Sequence, residues 1–96
     1  MSNEGYHEPI AELTDKTRDM HRALVSLMEE LEAVDWYNQR MDACKDDELR
    51  GLLEHNRDEE KEHAAMVLEW IRRRDPAFDE QLRKYLFKSD ASLEHD

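Results

Sequence analysis

The sequence is poor in the residues that break helices or form disulfides. Its 96 residues include two glycines, two prolines and one cysteine, and aromatic residues make up 7%. Scarce Gly and Pro beside frequent Glu, Leu and Arg favour long helices over strands. The single Cys44 excludes an internal disulfide and fits a reducing cytoplasm. No apolar run approaches the roughly 18 residues of a membrane-spanning helix, and "MSNEGYHEPI" lacks the pattern of a secretory signal.

Positive charge is the second shortage. Lys and Arg number 14 against 25 Asp and Glu, which gives a formal net charge of -11. Nucleic acids and anionic membranes would be repelled, so we expect neither as a partner. A chain this short buries only a modest core alone. Because 41% of its residues are charged, we expect a second copy or a metal ion to contribute to its stability.

Three helices are predicted in a domain over residues 9–87, between flexible segments at 1–8 and 88–96. The apolar residues of the first recur at intervals of three, four or seven, which is the spacing of one helix face. This helix is predicted over 9–42, with Pro9 in its first turn, where the missing N–H is not needed. At about 1.5 Å per residue it would be about 50 Å long.

Capping residues mark the other two helices. Asp46 is a suitable N-cap for a helix over 47–74, and Asp75 with Pro76 opens a short helix over 76–87. Only about four residues connect the first two helices, so these should form an antiparallel hairpin. Two hairpins docked face to face would give an all-α four-helix bundle, which is the predicted architecture.

Two polar residues fall within the apolar stripe of the second helix. At about 100° per residue, Glu60 and His63 lie within roughly 60° of its apolar residues. Arg57 and Lys61 fall on the outer face instead. On the first helix, Glu30 lies at the edge of the apolar stripe. An unpaired buried carboxylate is costly, so these side chains need a cation or strong hydrogen-bond donors.

The inward polar residues match half of a known kind of metal site. Glu60 and His63 form a Glu-x-x-His pattern, with both side chains on one helix face. Ferritin-like di-iron sites combine a Glu from each of two helices with Glu-x-x-His from each of two others. Glu30 and this pair would supply half, and a two-fold dimer the rest. Carboxylate and imidazole ligands favour iron or manganese, and zinc would also bind.

The spacing alone fits a second interpretation equally well. Glu60 and His63 would then form a buried ion pair or hydrogen-bonded pair. The protein would be a non-catalytic metal-binding or structural helical hairpin, whose inward polar residues set the register of a dimer. A peroxidase of the rubrerythrin kind is disfavoured because the chain has no Cys-x-x-Cys module.

Three segments resemble the encapsulated ferritins: "HRALVSLMEELEAVDWYNQR", "EHNRDEEKEHAAMVLEWIRR" and "LRKYLF". The similarity extends over about residues 7–87. It implies a ferroxidase with two iron ions per dimer, held at the dimer interface, and calcium, zinc or manganese as substitute ions. It also implies that five such dimers form an annular decamer, which is enclosed in an encapsulin nanocompartment of the cytoplasm and feeds iron storage there.

The resemblance assigns roles to individual residues. Glu30, Glu60 and His63 match the metal ligands, and Tyr37 matches a tyrosine near the metal ions. Four further positions match residues outside the centre. The resemblance implies that Glu29, Glu32 and Trp36 lie along an iron route into the centre. It also implies that His55 can bind a peripheral metal ion. The chain departs from the family after Lys88, where no shell-docking peptide is evident.

Overall fold

A computed structural model describes residues 5–90 and 92–94, and these contain helices and no strand. The elements in order are a 3-10 turn at Ile10–Glu12, α1 at Asp15–Ala43, α2 at Asp47–Arg74 and α3 at Pro76–Tyr85. Helices α1 and α2 pack along each other as a hairpin, and α3 packs on α2. The predicted all-helical hairpin with a short third helix is confirmed. The predicted flexible ends fall partly outside the described residues.

The predicted start of the first helix at residue 9 is wrong. Helix α1 begins at Asp15, because Thr14 has an extended backbone and its side chain accepts a hydrogen bond from the N–H of Thr17 at 3.2 Å. Such a cap satisfies one of the free N–H groups at a helix N-terminus and fixes the start there. Pro9 precedes the short 3-10 turn instead. With 29 residues, α1 is about 44 Å long.

The bounds of α2 follow the prediction, and those of α3 do so in part. Asp46 caps α2 through Oδ2, which accepts from the N–H of Leu49 at 2.8 Å. Asp75 ends α2 and caps α3 by accepting from the N–H of Phe78 at 3.0 Å. Helix α3 ends at Tyr85 rather than residue 87, since Leu86 is extended and Phe87 has a φ of 59°.

Very little of the described chain is buried. The buried apolar residues are Ala64 and Ile71, both on α2, and Ile71 is fully buried. Seven large apolar side chains on the long helices are exposed, namely Leu24, Met28, Leu31 and Trp36 of α1 with Leu49, Leu52 and Met66 of α2. Exposed apolar surface of this extent marks an interaction site. No helix of the described residues has both the length and the apolar character needed to cross a membrane.

The position of Arg57 also corrects the helical pattern. The pattern places this residue on the outer face, yet its side chain is only 15% exposed. Its Nη1 donates to Oδ1 of Asn38 on α1 at 3.1 Å and lies 3.3 Å from Sδ of Met41. A long arginine stem can reach around a helix and carry its charged end to a neighbouring element. Lys61 does stay on the exposed side, as predicted.

Candidate metal centre

Three side chains from the middle of the hairpin converge where α1 packs against α2. Glu30 extends from α1, while Glu60 and His63 extend from α2, one helical turn apart. One ligand atom from each lies within 4.8 Å of the others, and residues 5–90 and 92–94 yield no second group of this kind. The structure therefore brings together the three residues that the sequence predicts as metal ligands.

The imidazole of His63 lies between the two carboxylates. Its Nδ1 is 3.6 Å from Oε2 of Glu30 and 3.6 Å from Oε2 of Glu60. These distances are longer than ordinary hydrogen bonds. Ligands bound at about 2.0–2.2 Å to one ion are separated by up to about 4.4 Å. Small side-chain rotations would thus let all three residues bind the same ion.

The neighbouring Glu60 makes ionisation of Glu30 less favourable. The pKa of Glu30 is raised, first because its neutral form hydrogen-bonds to Glu60 and then through burial and the negative charge of Glu60, while His63 opposes the shift. Both glutamate side chains are 25% exposed. Two carboxylates close together in a partly buried site favour the binding of a shared proton or of a cation. A divalent cation would relieve the repulsion that the proton otherwise relieves.

No protein cation neutralises this acidic pair in the part of the chain that the structure describes. Glu30 and Glu60 each lie 3.6 Å from Nδ1 of His63, and neither pairs with a Lys or Arg among the described residues. Cys44 lies beyond the end of α1, where its Sγ is 3.6 Å from the carbonyl oxygen of Asp46. The centre therefore offers two carboxylates and one imidazole without a thiolate, a set that suits Fe(II), Mn(II) or Zn(II). Three protein ligands also leave coordination positions open.

Tyr37 lies two turns beyond Glu30 on α1 and is half-buried. Its ring contacts Arg40, whose Cζ is 5.4 Å from the ring centroid. This is a cation–π distance. Its predicted place beside the metal ions stays a prediction.

The four peripheral residues of the sequence prediction do not join the centre. Glu29, Glu32 and Trp36 have exposed side chains, with Trp36 at 45% exposure. His55 is also exposed, and its Nε2 lies 3.4 Å from Oε1 of Glu59 on the same helix. An iron route along the first three residues and a peripheral ion at His55 therefore stay predictions.

Sequence reasoning missed the bridge from Arg57 to Asn38, close to the centre. In an antiparallel hairpin, residues at equal distances from the turn lie opposite each other, and this rule could have predicted the bridge. The pairs Glu30–His63 and Asn38–Arg57 are both centred close to the turn between α1 and α2. Helical periodicity describes one helix at a time, so it does not detect a long side chain that crosses to the other helix.

Comparison with known proteins gives consistent results. A ferritin-like protein from Thermotoga maritima is 65% identical over 82 residues, which cover 85% of this chain and 72% of that protein. An encapsulated ferritin-like protein from Rhodospirillum rubrum is 62% identical over 86 residues, which cover 90% of this chain but only 61% of that protein. The chain thus spans less than two thirds of the Rhodospirillum protein.

A solved structure shows the same fold. The crystal structure of a protein from Nitrosomonas europaea superimposes with a TM-score of 0.90 at 67% identity, over 95% of this chain and 100% of that one. The EncFtn-like family model matches residues 5–89. The resemblance to encapsulated ferritins seen in the sequence is thereby confirmed. By the extent of this match and by its close relatives, the chain belongs to the EncFtn-like family.

Proposed function

We propose that this protein is a ferroxidase, which oxidises Fe(II) to Fe(III) at a di-iron centre shared by two copies of the chain. The observation that carries the proposal is the convergence of Glu30, Glu60 and His63 within 4.8 Å. This cluster has two mutually repelling carboxylates and no Lys or Arg paired with them among the described residues. It is therefore a place where binding a divalent cation is favourable.

Two copies are needed because one chain supplies half of the ligands. A ferritin-like di-iron site uses four helices, of which two provide Glu-x-x-His, and this chain offers one Glu60–His63 pair and one Glu30. The side chain of His63 is 48% exposed, so a second chain has room to approach. On the same helix, Leu49, Leu52 and Met66 are exposed apolar residues. Covering them would provide the hydrophobic free energy for dimerisation.

The ligand set suits a substrate ion whose charge increases during the reaction. Each Fe(II) loses one electron, so a pair delivers two electrons to an oxidant such as dioxygen. Dioxygen would take these two electrons with two protons and leave as hydrogen peroxide. Hard carboxylate oxygens bind Fe(III) more strongly than Fe(II), and Glu30 and Glu60 can each bind one ion or bridge two. Neutral His63 contributes a nitrogen ligand without further charge.

The proposal includes assembly and confinement. Dimers would associate into an annular decamer, and this assembly would be cargo of an encapsulin shell, where the oxidised iron is stored. The support is membership of the EncFtn-like family and the name of the Rhodospirillum relative, which describes that protein as encapsulated.

The direct test measures the initial rate of aerobic Fe(II) oxidation by the variants Glu60→Ala and His63→Ala, with ultraviolet absorbance as the readout. We expect a loss of at least about 100-fold in initial rate, since even residues supporting a metal ligand contribute about 10–100-fold. Glu80→Ala is the control, because Glu80 is exposed on α3. Wild-type rates in either ligand variant would overturn the assignment.

A non-catalytic assembly protein is the second candidate. The exposed apolar side chains Leu24, Met28 and Leu31 on α1 favour it, because they call for a partner surface whether or not metal is bound. Iron quantification in protein purified from iron-supplemented cells separates the two. Stoichiometric iron that disappears in Glu60→Ala supports the ferroxidase, whereas no bound iron in the wild-type assembly supports the structural alternative.

A further inference from the structure

Arg57 forms a side-chain bridge between the two long helices. Its Nη1 donates to Oδ1 of Asn38 at 3.1 Å and contacts Sδ of Met41 at 3.3 Å, both on α1. On its own helix, Nε donates to Oδ1 of Asp58 at 3.1 Å, and Nη2 lies 3.7 Å from Oε2 of Glu54. The side chain is 15% exposed. A guanidinium with this many partners is fixed in position on both helices.

The bridge lies directly beside the candidate centre. Arg57 precedes Glu60 by one helical turn on α2, a rise of about 4.5 Å. The buried apolar contacts lie on the other side of the centre, because Ala64 and Ile71 both follow Glu60 on α2. The two carboxylates are thus flanked by an apolar contact on one side and by the Arg57 bridge on the other.

Arg57 does not neutralise the carboxylates of the candidate centre, because its guanidinium has other acidic partners. Its guanidinium is paired with Asp58 and Glu54, so it does not pair with Glu60. The acidic pair therefore keeps its affinity for a cation, although an arginine lies one turn away. A bridge of this kind resists the mutual repulsion of the carboxylates without neutralising them.

We propose that Arg57 is a positioning residue for the metal centre. By joining α1 to α2 through Asn38, it fixes the separation of Glu30 from Glu60 and His63 before metal binds. The inference rests on the proposed function, since the reaction that it supports is Fe(II) oxidation. Preorganised ligands bind a metal ion more tightly because less ordering is required on binding.

The test compares Arg57→Met with Arg22→Met in the full-length protein. Methionine keeps the length of the stem and removes the donors. Arg22 is a matched control, because it pairs with Asp19 on its own helix, is 69% exposed and loses the same charge when substituted. We expect the Fe(II) concentration for half-maximal oxidation to rise about 10-fold in Arg57→Met and to stay at the wild-type value in Arg22→Met.

A second variant separates positioning from general stability. Asn38→Ala removes the acceptor on α1 while leaving Arg57 in place. The double variant Asn38→Ala/Arg57→Met should lose no more activity than Arg57→Met, because both substitutions remove the same Arg57–Asn38 hydrogen bond. Arg57→Lys should recover part of the loss. The visible spectrum of bound Co(II) should change in Arg57→Met, a readout that a lower melting temperature alone does not alter.

Two results would overturn the inference. One is wild-type Fe(II) dependence and a wild-type Co(II) spectrum in Arg57→Met, and the other is fully additive losses in the double variant. An inactive wild-type protein would count against the ferroxidase proposal instead. In that case the Co(II) spectra of wild type and Arg57→Met still decide whether Arg57 positions the ligands.

Discussion

At the scale of the residue, the central fact is that Glu30 and Glu60 approach each other across two helices. The side chain of each is three-quarters covered in a single chain. The pKa of Glu30 is raised by the hydrogen bond to Glu60, by burial and by the negative charge of Glu60, so the ionised pair makes the metal-free protein less stable than a neutral pair would. The proposed cation site would thus lower the stability of the protein when no cation is bound.

Glu30→Gln is expected to increase the stability of the metal-free protein and to weaken its binding of a cation. The substitution keeps the shape of the side chain and removes one of two like charges. The Tm of the metal-free protein should rise by about 1–3 °C, since a pair of like charges costs a few tenths of a kcal/mol. A divalent ion at about 100 times its Kd should stabilise the wild type by about 2.7 kcal/mol, and the variant much less. Differential scanning calorimetry with and without Co(II) measures both.

The exposed Glu12→Gln is the control for that comparison. It removes one negative charge from a chain of net charge -11 without touching the centre. An equal metal-dependent increase in Tm for Glu30→Gln and wild type would contradict a ligand role for Glu30.

At the scale of the element, caps and charge pairs decide where the helices begin, end and fold back. The α2–α3 junction combines the Asp75 cap with an ion-pair network, in which Arg72 joins Glu69 to Asp79 and Arg73 also pairs with Glu69. This network holds α3 against α2 over a few residues. Its acidic members have lowered pKa values, so its effect on stability depends on pH.

Glu69 provides the pH test. Hydrogen bonds from Arg72 and Arg73 lower its pKa from 4.5 to about 2. A carboxylate whose pKa is lower in the folded state stabilises the fold fully at pH values above its unfolded-state pKa. This stabilisation is lost as the pH falls through the folded-state pKa. Glu69→Gln should therefore have a lower Tm than wild type at pH 5–7, and the difference should vanish near pH 2. The difference will be small because these groups are exposed.

Thermal melts by circular dichroism at a series of pH values measure this difference. Glu80→Gln is the control, because Glu80 is an exposed residue of α3, the helix that the network holds against α2. A wild-type advantage that persists below pH 2 would show that the network does not act through the charge of Glu69.

The N-cap of α1 gives a second prediction at this scale. Thr14→Ala removes the oxygen that accepts from the N–H of Thr17, and it should lower the free energy of unfolding by about 1 kcal/mol. Thr14→Ser keeps that oxygen and should retain most of the stability. Urea unfolding of the three proteins measures the loss, and equal midpoints for Thr14→Ala and wild type would contradict the capping role.

The sequence predicted the elements where local chemistry decides them. Asp46 and Asp75 are strong caps next to clear periodicity, so the bounds of α2 could be predicted. The start of α1 could not, because Pro9 and Thr14 both provide a start signal and only the folded chain shows which one is used. Glu30, Glu60 and His63 were identifiable from spacing and resemblance. The bridge from Arg57 depends on a contact between helices, and periodicity carries no information about it.

At the scale of the whole molecule, one hairpin leaves much of its apolar surface uncovered. Only Ala64 and Ile71 are buried among the described residues, while Leu52 is 58% exposed and Met66 is 64% exposed. A core this small provides little stability alone. In the proposed shared centre, assembly and metal binding would therefore be coupled, because a second copy would both cover the apolar surface and supply the other half of the metal ligands.

This coupling predicts metal-dependent assembly. Fe(II) under anaerobic conditions, or Co(II), should increase the dimeric and higher fraction in native mass spectrometry, because a shared ion binds the assembled form preferentially. His63→Ala should abolish the increase, and the exposed Lys61→Ala on the same helix should preserve it. Identical oligomer distributions with and without metal in the wild type would contradict a centre shared between chains.

The half-exposed imidazole of His63 also has a kinetic consequence. If each chain holds half of the ligands, the specific activity at low concentration should increase in proportion to the concentration of chains and reach a plateau once pairing is complete. A dilute, newly made chain would be inert toward iron. Confinement in a small volume would then act as the switch for oxidation, with no additional regulator.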